Sequence, residues 1–247
     1  LPWAFELLTS EQWFDLDPDK LYFTYYPGDE KTFNLWRQCG VKEDHLIPVE
    51  GNFWEIGEGP CGPDTEIFFD RGTKYDKENI GPRMIKEDME NDRYIEIWNI
   101  VFSQFNSKPG VPRDQYKELP SKNIDTGCGL ERMACVMQEV ETNYDSDLFM
   151  PLINYLSEYT GRNYHEATYK MPYRVIADHI RSVTFAVADG ASLSNEGRGY
   201  VLRRILRRAV RYGKFLGMKE AFLYKLVRPC VELMQVFYPY LLEKEAI

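Results

Sequence analysis

Near residue 145 the residue pattern changes period, and no other single feature restricts the fold as much. Upstream lie stretches rich in aromatic and β-branched residues that suit strands: 21–26, ended by Pro27-Gly28, then 53–56 and 66–70. Residues 93–105 have the composition of a central strand. Two or three short helices are expected within residues 1–50. Gly57-Glu58-Gly59-Pro60-Cys61-Gly62-Pro63 holds three Gly and two Pro, which reads as an irregular turn. The hydrophilic stretch 106–122 reads as a loop. From Leu130 onward Leu130, Met133, Ala134 and Met137 fall at helical spacing, and residues 146–158, 173–189, 198–216 and 219–245 all fit helices. The expected fold is α+β: strands and helices together over 1–145, then an all-helical domain over 146–247.

A chain of 247 residues can bury one large core or two modest ones. No apolar run reaches the roughly 18–20 residues of a bilayer span, and no signal-peptide pattern is visible, so a cytoplasmic chain without membrane contact is expected. Five cysteines without CxxC spacing and three scattered histidines (His45, His165, His179) argue against a disulfide framework and a zinc site. The opening Leu1-Pro2-Trp3-Ala4-Phe5 reads as the interior of a longer polypeptide.

The net charge of −9 is unevenly spread. Residues 174–220 carry ten Lys or Arg against four acids, a surplus of six, which leaves fifteen net negative charges elsewhere. Such an acidic body with one concentrated basic element implies a polyanion docking at one place. Arg203, Arg207 and Arg211 recur at i, i+4, i+8, with Arg204 and Arg208 beside them, opposite an apolar stripe of Leu202, Ile205, Leu206 and Ala209. Like charges at i+4 repel by a few tenths of a kcal/mol per pair (about 0.2–0.5), so a sequence that accepts several such pairs points to an anionic partner or buried acids nearby.

The most specific run is Asp125-Thr126-Gly127-Cys128-Gly129-Leu130-Glu131-Arg132. Gly127 and Gly129 bracket an expected tight turn ahead of a helix, where backbone N–H groups and the helix dipole favour an anion. Arg132, in the first helical turn, adds a full charge and a planar face. Two further runs stand out: Gly51-Asn52-Phe53-Trp54-Glu55-Ile56, leading to Asp64-Thr65-Glu66-Ile67, and Glu96-Ile97-Trp98-Asn99-Ile100-Val101-Phe102. By strand alternation Glu96 and Asn99 point to opposite faces unless a bulge intervenes.

Gly-x-Gly-Leu-Glu-Arg resembles motif 3 of the class II aminoacyl-tRNA synthetases, and the preceding Asp-Thr narrows the resemblance to the alanine-specific branch, in which Met usually stands at the position of Cys128. The resemblance extends from Pro2 to about residue 217. It implies a partial class II catalytic domain over 1–145, an incomplete antiparallel sheet with flanking helices, and a helical tRNA-recognition domain over 146–247. It implies alanine binding by Trp54, Asn99, Val101, Asp125 and Gly127, and ATP binding by Asn99, Gly129, Arg132 and Glu96, with Glu96 also a magnesium ligand. Neither step of such a reaction needs a nucleophilic side chain, in keeping with a chain that has no Ser-His-Asp or Cys-His arrangement. By the same resemblance Asn195 reads the G·U pair of the tRNA(Ala) acceptor stem, and Arg198, Arg203, Arg204, Arg207, Arg208 and Arg211 contact the tRNA. Leu193 and Gly197 depart from the family's usual Pro-Ser-Asn-Glu-Asn loop.

Motifs 1 and 2 are not found in residues 1–50, nor is the His and Cys pattern of the family's editing domain. The expected function is therefore formation of alanyl-tRNA from alanine, ATP and tRNA, as a fragment of the full enzyme that is inactive in adenylate formation by itself. The alternatives are a non-catalytic RNA-binding or regulatory paralogue, which would keep the basic helix alone, and a ligase with a different acceptor.

Overall fold

The computed structural model describes residues 1–247. The chain divides into two compact units, Leu1–Glu139 and Val140–Ile247.

The first unit is built on a six-stranded sheet: β1 (Leu21–Tyr25), β2 (Leu46–Pro48), β3 (Phe53–Glu55), β4 (Gly59–Asp70), β5 (Tyr94–Ser107) and β6 (Lys117–Cys128). The order is β2-β1-β4-β5-β6, with β3 also pairing β4. All pairings are antiparallel except β1 with β2, so the sheet is mixed rather than wholly antiparallel. Helices α1 (Pro2–Thr9), α2 (Glu30–Gln38) and α4 (Leu130–Met137) send Leu8, Trp36, Met133 and Val136 into one apolar cluster with Phe23, Ile67, Ile97 and Ile100 of the sheet. Each such side chain contributes about 1.5–3 kcal/mol by leaving water. Trp36 is fully buried and donates its indole N–H to Thr65 Oγ1 at 2.9 Å, so its one polar atom is not stranded. A smaller cluster of Ile47, Met84, Ile85 and Tyr94 includes the short α3 (Arg83–Lys86).

Three local expectations are corrected. Gly59 to Pro63 belong to β4 rather than to an irregular turn. The strand tolerates them because its register against β5 shifts between Cys61 and Asp64, and because Gly62 lies where no side chain fits: a Cβ there would stand 1.8 Å from the Phe102 carbonyl oxygen. The hydrophilic stretch 106–122 is not all loop, since β6 starts at Lys117 and is exposed along most of its length. Gly127 continues β6, leaving Gly129 alone as the N-cap of α4.

The second unit is helical: α5 (Met150–Thr160), α6 (Ala167–Ala188), α7 (Gly197–Phe215), α8 (Val227–Met234) and α9 (Tyr240–Lys244). Leu152, Ile153 and Leu156 of α5 pack with Tyr173, Ile176 and Ile180 of α6, Ala209 of α7 and Val231 of α8. α5 opens with Pro at its first turn and closes on Gly161 at φ 67°, a left-handed position that glycine adopts without strain. The single helix expected over 219–245 is divided, because Pro239 cannot donate an N–H to continue α8. No helix is long and apolar enough to cross a membrane.

Candidate functional site

Helices α1, α2 and α4 pack on one face of the sheet, and the other is covered by α3 only around Tyr22, Phe68 and Tyr94; strand register decides what the rest of it displays. Asp64 of β4 pairs with Val101 of β5, which pairs with Asp125 of β6. One step along, Glu66, Asn99 and Gly127 form the next row. Directly paired residues share a face and alternate residues along a strand do too, so these six lie together on a patch about 10 Å across two strand spacings.

Glu96 joins them through a bulge, which overturns the expectation of opposite faces. Ile67 pairs with Trp98 but Phe68 pairs with Glu96, so Ile97 is the extra residue on β5. Phe68 shares the face of Glu66 and Asp64, and its partner Glu96 therefore shares the face of Asn99. The bulged residue's carbonyl is not wasted, because Gly129 donates its N–H to Ile97 O at 3.0 Å. That bond ties the bulge to the start of α4. Arg132 then reaches back, its Nη1 donating to Glu96 O at 2.9 Å and to Glu96 Oε2 at 2.8 Å. Both side chains of this pair are substantially exposed. An exposed ion pair is worth only about 0.2–1 kcal/mol, so a phosphate can replace the carboxylate at little cost.

The carboxylates on this face are desolvated to different degrees. Burial raises the Asp64 carboxyl above the usual carboxylate range, while bonds from Asn52 and Asn99 oppose the rise. Burial likewise raises Glu66, and the charge of Glu96 adds to it. Asn99 Nδ2 donates to Asp64 Oδ2 at 3.2 Å and lies 3.5 Å from Glu66 Oε1. Thr24 Oγ1 receives the Glu66 backbone N–H at 2.9 Å. Asp125 is exposed, and its Oδ1 accepts the N–H of Thr126 at 2.9 Å without any cation beside it. Thr126 accepts the Trp98 indole N–H and donates to Asn99 O, which locks β6 to β5 behind the row. At Gly127 an added Cβ would meet nothing within 4 Å, so this glycine keeps space open over the sheet rather than relieving a clash.

Trp54 stands apart from the two rows, on β3 opposite Gly62, with 36% of its surface exposed. Phe53 and Glu55 both contact Arg113, so by alternation Trp54 lies on the other side, the side of Asn52. It is not packed into the core. Asn52, Asp64, Glu66 and Thr24 carry no role in the sequence reading. The signal for two of them was available: acids at alternate positions, Asp64 and Glu66, must share one face of a strand.

The patch offers acceptors almost exclusively, with Arg132 at its edge, and such a lining suits a small ligand bearing an ammonium group beside an anionic one. No cluster of three or more His, Cys, Asp or Glu has the arrangement of a metal-binding cage. Among the carboxylates of this face, partly exposed Glu96 and exposed Asp125 can both be reached by a divalent cation from solvent.

The helical unit carries a second candidate surface. Arg198, Arg203, Arg204, Arg207, Arg208 and Arg211 are all exposed on α7, while Leu202 and Ala209 are buried. None of the six forms an ion pair, so the acidic partners considered from the sequence are not supplied within this unit. Arg204, Arg207, Arg208, Val210, Arg211 and Lys214 border an open depression of about 480 Å³. The loop before α7 lies on the helix because Gly199 has no side chain: a Cβ would stand 2.4 Å from Ser192 O and 2.5 Å from Ser194 Oγ. Asn195 is exposed and its Oδ1 accepts from Arg203 Nη1. Gly197 sits at φ 58°, a conformation that glycine and asparagine both enter readily, so the loop keeps a backbone either residue can adopt.

A family model described as class II (A) tRNA synthetases matches residues 1–247. The chain is 60% identical over 245 residues to an alanine–tRNA ligase of Streptococcus thermophilus (strain ATCC BAA-491 / LMD-9), an alignment covering 99% of this chain and 28% of that protein. It is 61% identical over 244 residues to an alanine–tRNA ligase of Streptococcus pyogenes serotype M5 (strain Manfredo), with the same coverage. The chain thus spans 28% of the length of the curated relatives it matches.

Proposed function

The chain belongs to the family of class II (A) tRNA synthetases, and on that premise we propose that it serves the ATP-dependent attachment of alanine to tRNA(Ala) through alanyl-adenylate. The observation that carries the reading is the single face on which Asp64, Glu66, Glu96, Asn99, Val101, Asp125 and Gly127 meet.

In the first step the alanine carboxylate oxygen attacks the α-phosphorus of ATP, a P–O bond forms, and pyrophosphate leaves. In the second, the 3′-terminal hydroxyl of tRNA attacks the activated carbonyl and AMP leaves. The substrates supply both nucleophiles, so the residues act by position and charge. Asp125, free of any cation, takes the alanine ammonium in a charge-assisted hydrogen bond. Gly127 leaves room for the substrate over the sheet, Val101 packs beside its methyl group, and Trp54 walls the pocket. Arg132 exchanges Glu96 for the nucleotide phosphates, with Gly129 at the helix start beside them. Asn99 lies between the two substrates. Magnesium commonly takes one or two carboxylates and completes its shell with waters and phosphates. Glu96 fits the part of such a carboxylate, and the ion would supply charge neutralisation at the phosphates.

Unit Leu1–Glu139 is then catalytic and unit Val140–Ile247 recognises tRNA. Arg198, Arg203, Arg204, Arg207, Arg208 and Arg211 meet acceptor-stem phosphates, and Asn195 reads the G·U pair. The setting is cytoplasmic.

Calorimetric titration of alanine into the wild-type chain and Asp125→Ala tests the pocket. A charge-assisted hydrogen bond is worth about 1.5–3 kcal/mol, so the variant should bind roughly ten- to a hundredfold more weakly. Equal affinities would remove Asp125 from the site. Tight tRNA binding by a chain without alanine affinity would instead favour a non-catalytic RNA-binding paralogue.

A further inference from the structure

Asp64 is the most enclosed carboxylate on the open face of the sheet, at 6% exposure, and nothing so far gives it a task. Its Oδ2 accepts two side-chain amides at once, Asn52 Nδ2 at 3.0 Å and Asn99 Nδ2 at 3.2 Å. A carboxylate is an acceptor only, so each amide must turn its NH2 end toward it. The carbonyl end of each amide is then the end left over. For Asn99 the second carboxylate, Glu66, lies on the same NH2 side at 3.5 Å, which strengthens the preference. For Asn52 the consequence is visible: the residue is 2% exposed, and its Oδ1 is buried without a hydrogen-bond partner. Buried acceptors are rarely left unmet, and an orphan of this kind points to a donor that arrives with a ligand.

We infer that Asp64 is a positioning residue for the amino-acid substrate, holding Asn99 and Asn52 with their carbonyl oxygens available to the substrate ammonium. The inference rests on the alanine-binding reading above. Without a charged acceptor at position 64 either amide can rotate by half a turn about its terminal bond, presenting NH2 where the ammonium must sit. An asparagine at 64 has the same volume but offers both a donor and an acceptor. It can pair with an amide in either orientation, so Asp64→Asn removes the directional preference while filling the same space.

The experiment uses the full chain as wild type, Asp64→Asn and Asp64→Ala, with asparagine side-chain NH2 resonances followed by NMR and assigned through Asn52→Ala and Asn99→Ala. Alanine and ATP affinities are measured by calorimetry on the same samples. In Asp64→Asn the Asn52 and Asn99 NH2 signals should move while the backbone spectrum stays in place. Alanine affinity should drop about tenfold, the scale of one hydrogen bond to a charged group, and ATP affinity should hold to within about twofold. Unmoved NH2 signals would show that Asp64 does not orient the amides. Moved signals with undiminished alanine affinity would show that orientation does not matter for the substrate; either result overturns the proposal. A wild-type chain that binds no alanine sinks the alanine reading itself, and the NH2 signals then still decide whether Asp64 governs Asn99.

Discussion

The two units use charge in opposite ways. On the sheet, Asp64 and Glu66 are partly or wholly withdrawn from water and hydrogen-bonded to amides and hydroxyls fixed by neighbouring strands. On α7, six arginines stand in solvent without an ion pair. Desolvated groups lose little when a ligand arrives, because their water is already gone and their directions are set; they discriminate among small ligands at short range. Exposed arginines pull on any phosphate chain within a Debye length of about 8–10 Å, and they discriminate weakly. One surface is therefore built for shape and the other for attraction.

The largest effect should come from forcing the strands of the first unit apart. A Cβ at position 62 would lie 1.8 Å from Phe102 O, a backbone atom that cannot rotate away. Gly62→Ala should therefore destabilise that unit by about 3 kcal/mol, the upper end of overpacking costs, read as a lower urea midpoint by tryptophan fluorescence. Gly127→Ala is the matched control, since its Cβ meets nothing within 4 Å. Its stability should stay within about 0.5 kcal/mol of wild type, while alanine affinity falls because the methyl occupies the open row. Equal destabilisation by both would mean that Gly127 is structural and that the open face is no pocket.

Next in size is the loss of attraction on α7. Arg204, Arg207 and Arg211 border the same depression, and changing all three to Ala should lower affinity for tRNA about a hundredfold at 0.1 M salt. The slope of log affinity against log salt should flatten by roughly two units, near 0.7–0.9 for each phosphate that is no longer neutralised. Alanine substitution also removes repulsion between like charges a turn apart, so thermal stability should hold or rise slightly. A variant that melts early yet binds tRNA normally would make these arginines structural and end the contrast between the units. Alanine binding by the sheet, resting on buried partners, should change little over the same salt range.

What the sequence discloses follows the same division. The α7 register is local: residues three and four apart determine its buried stripe, and 198–216 differs from Gly197–Phe215 by one residue at each end. Asn99, Val101, Asp125 and Gly127 could each be named from motifs, but their meeting on one face depends on which residues of three strands pair. The bulge at Ile97 shows why this is hard to read. Nothing within Glu96-Ile97-Trp98-Asn99 marks an extra residue; it exists because Phe68 pairs with Glu96 and Ile67 with Trp98. Strand character in Gly59 to Pro63 was hidden for a related reason, since Gly62 is demanded by a carbonyl forty residues away. Asp64 stands in a recognisable motif yet shows no role in sequence, because a buried acid shows its purpose only through the amides that reach it.

The smallest effect separates the units by pH. Asp76 accepts the backbone N–H of Gly81 at 2.8 Å and of Ile80 at 2.9 Å, and Arg93 Nη1 at 2.8 Å, while Arg93 also grips Asp70 at 2.7 Å. The Gly81 and Ile80 donors, with Arg93, hold the Asp76 carboxyl below the usual carboxylate range. A carboxyl whose folded pKa is depressed stabilises the fold fully above its unfolded value of about 3.9, and that contribution disappears as pH falls through the lower folded value. The Ile80 and Gly81 amide proton shifts should therefore stay constant down to about pH 4 and move only below it. In Asp76→Asn they should be displaced at neutral pH and flat in acid, and the stability gap between the two proteins should close as pH drops. Arginine does not titrate in this range, so the charge of α7 stays unchanged throughout. An Ile80 or Gly81 shift that titrates at or above the ordinary carboxylate value would mean that Asp76 is not held as its three donors require, and the first unit would then lack the fixed, hydrogen-bonded charge that distinguishes it from the second.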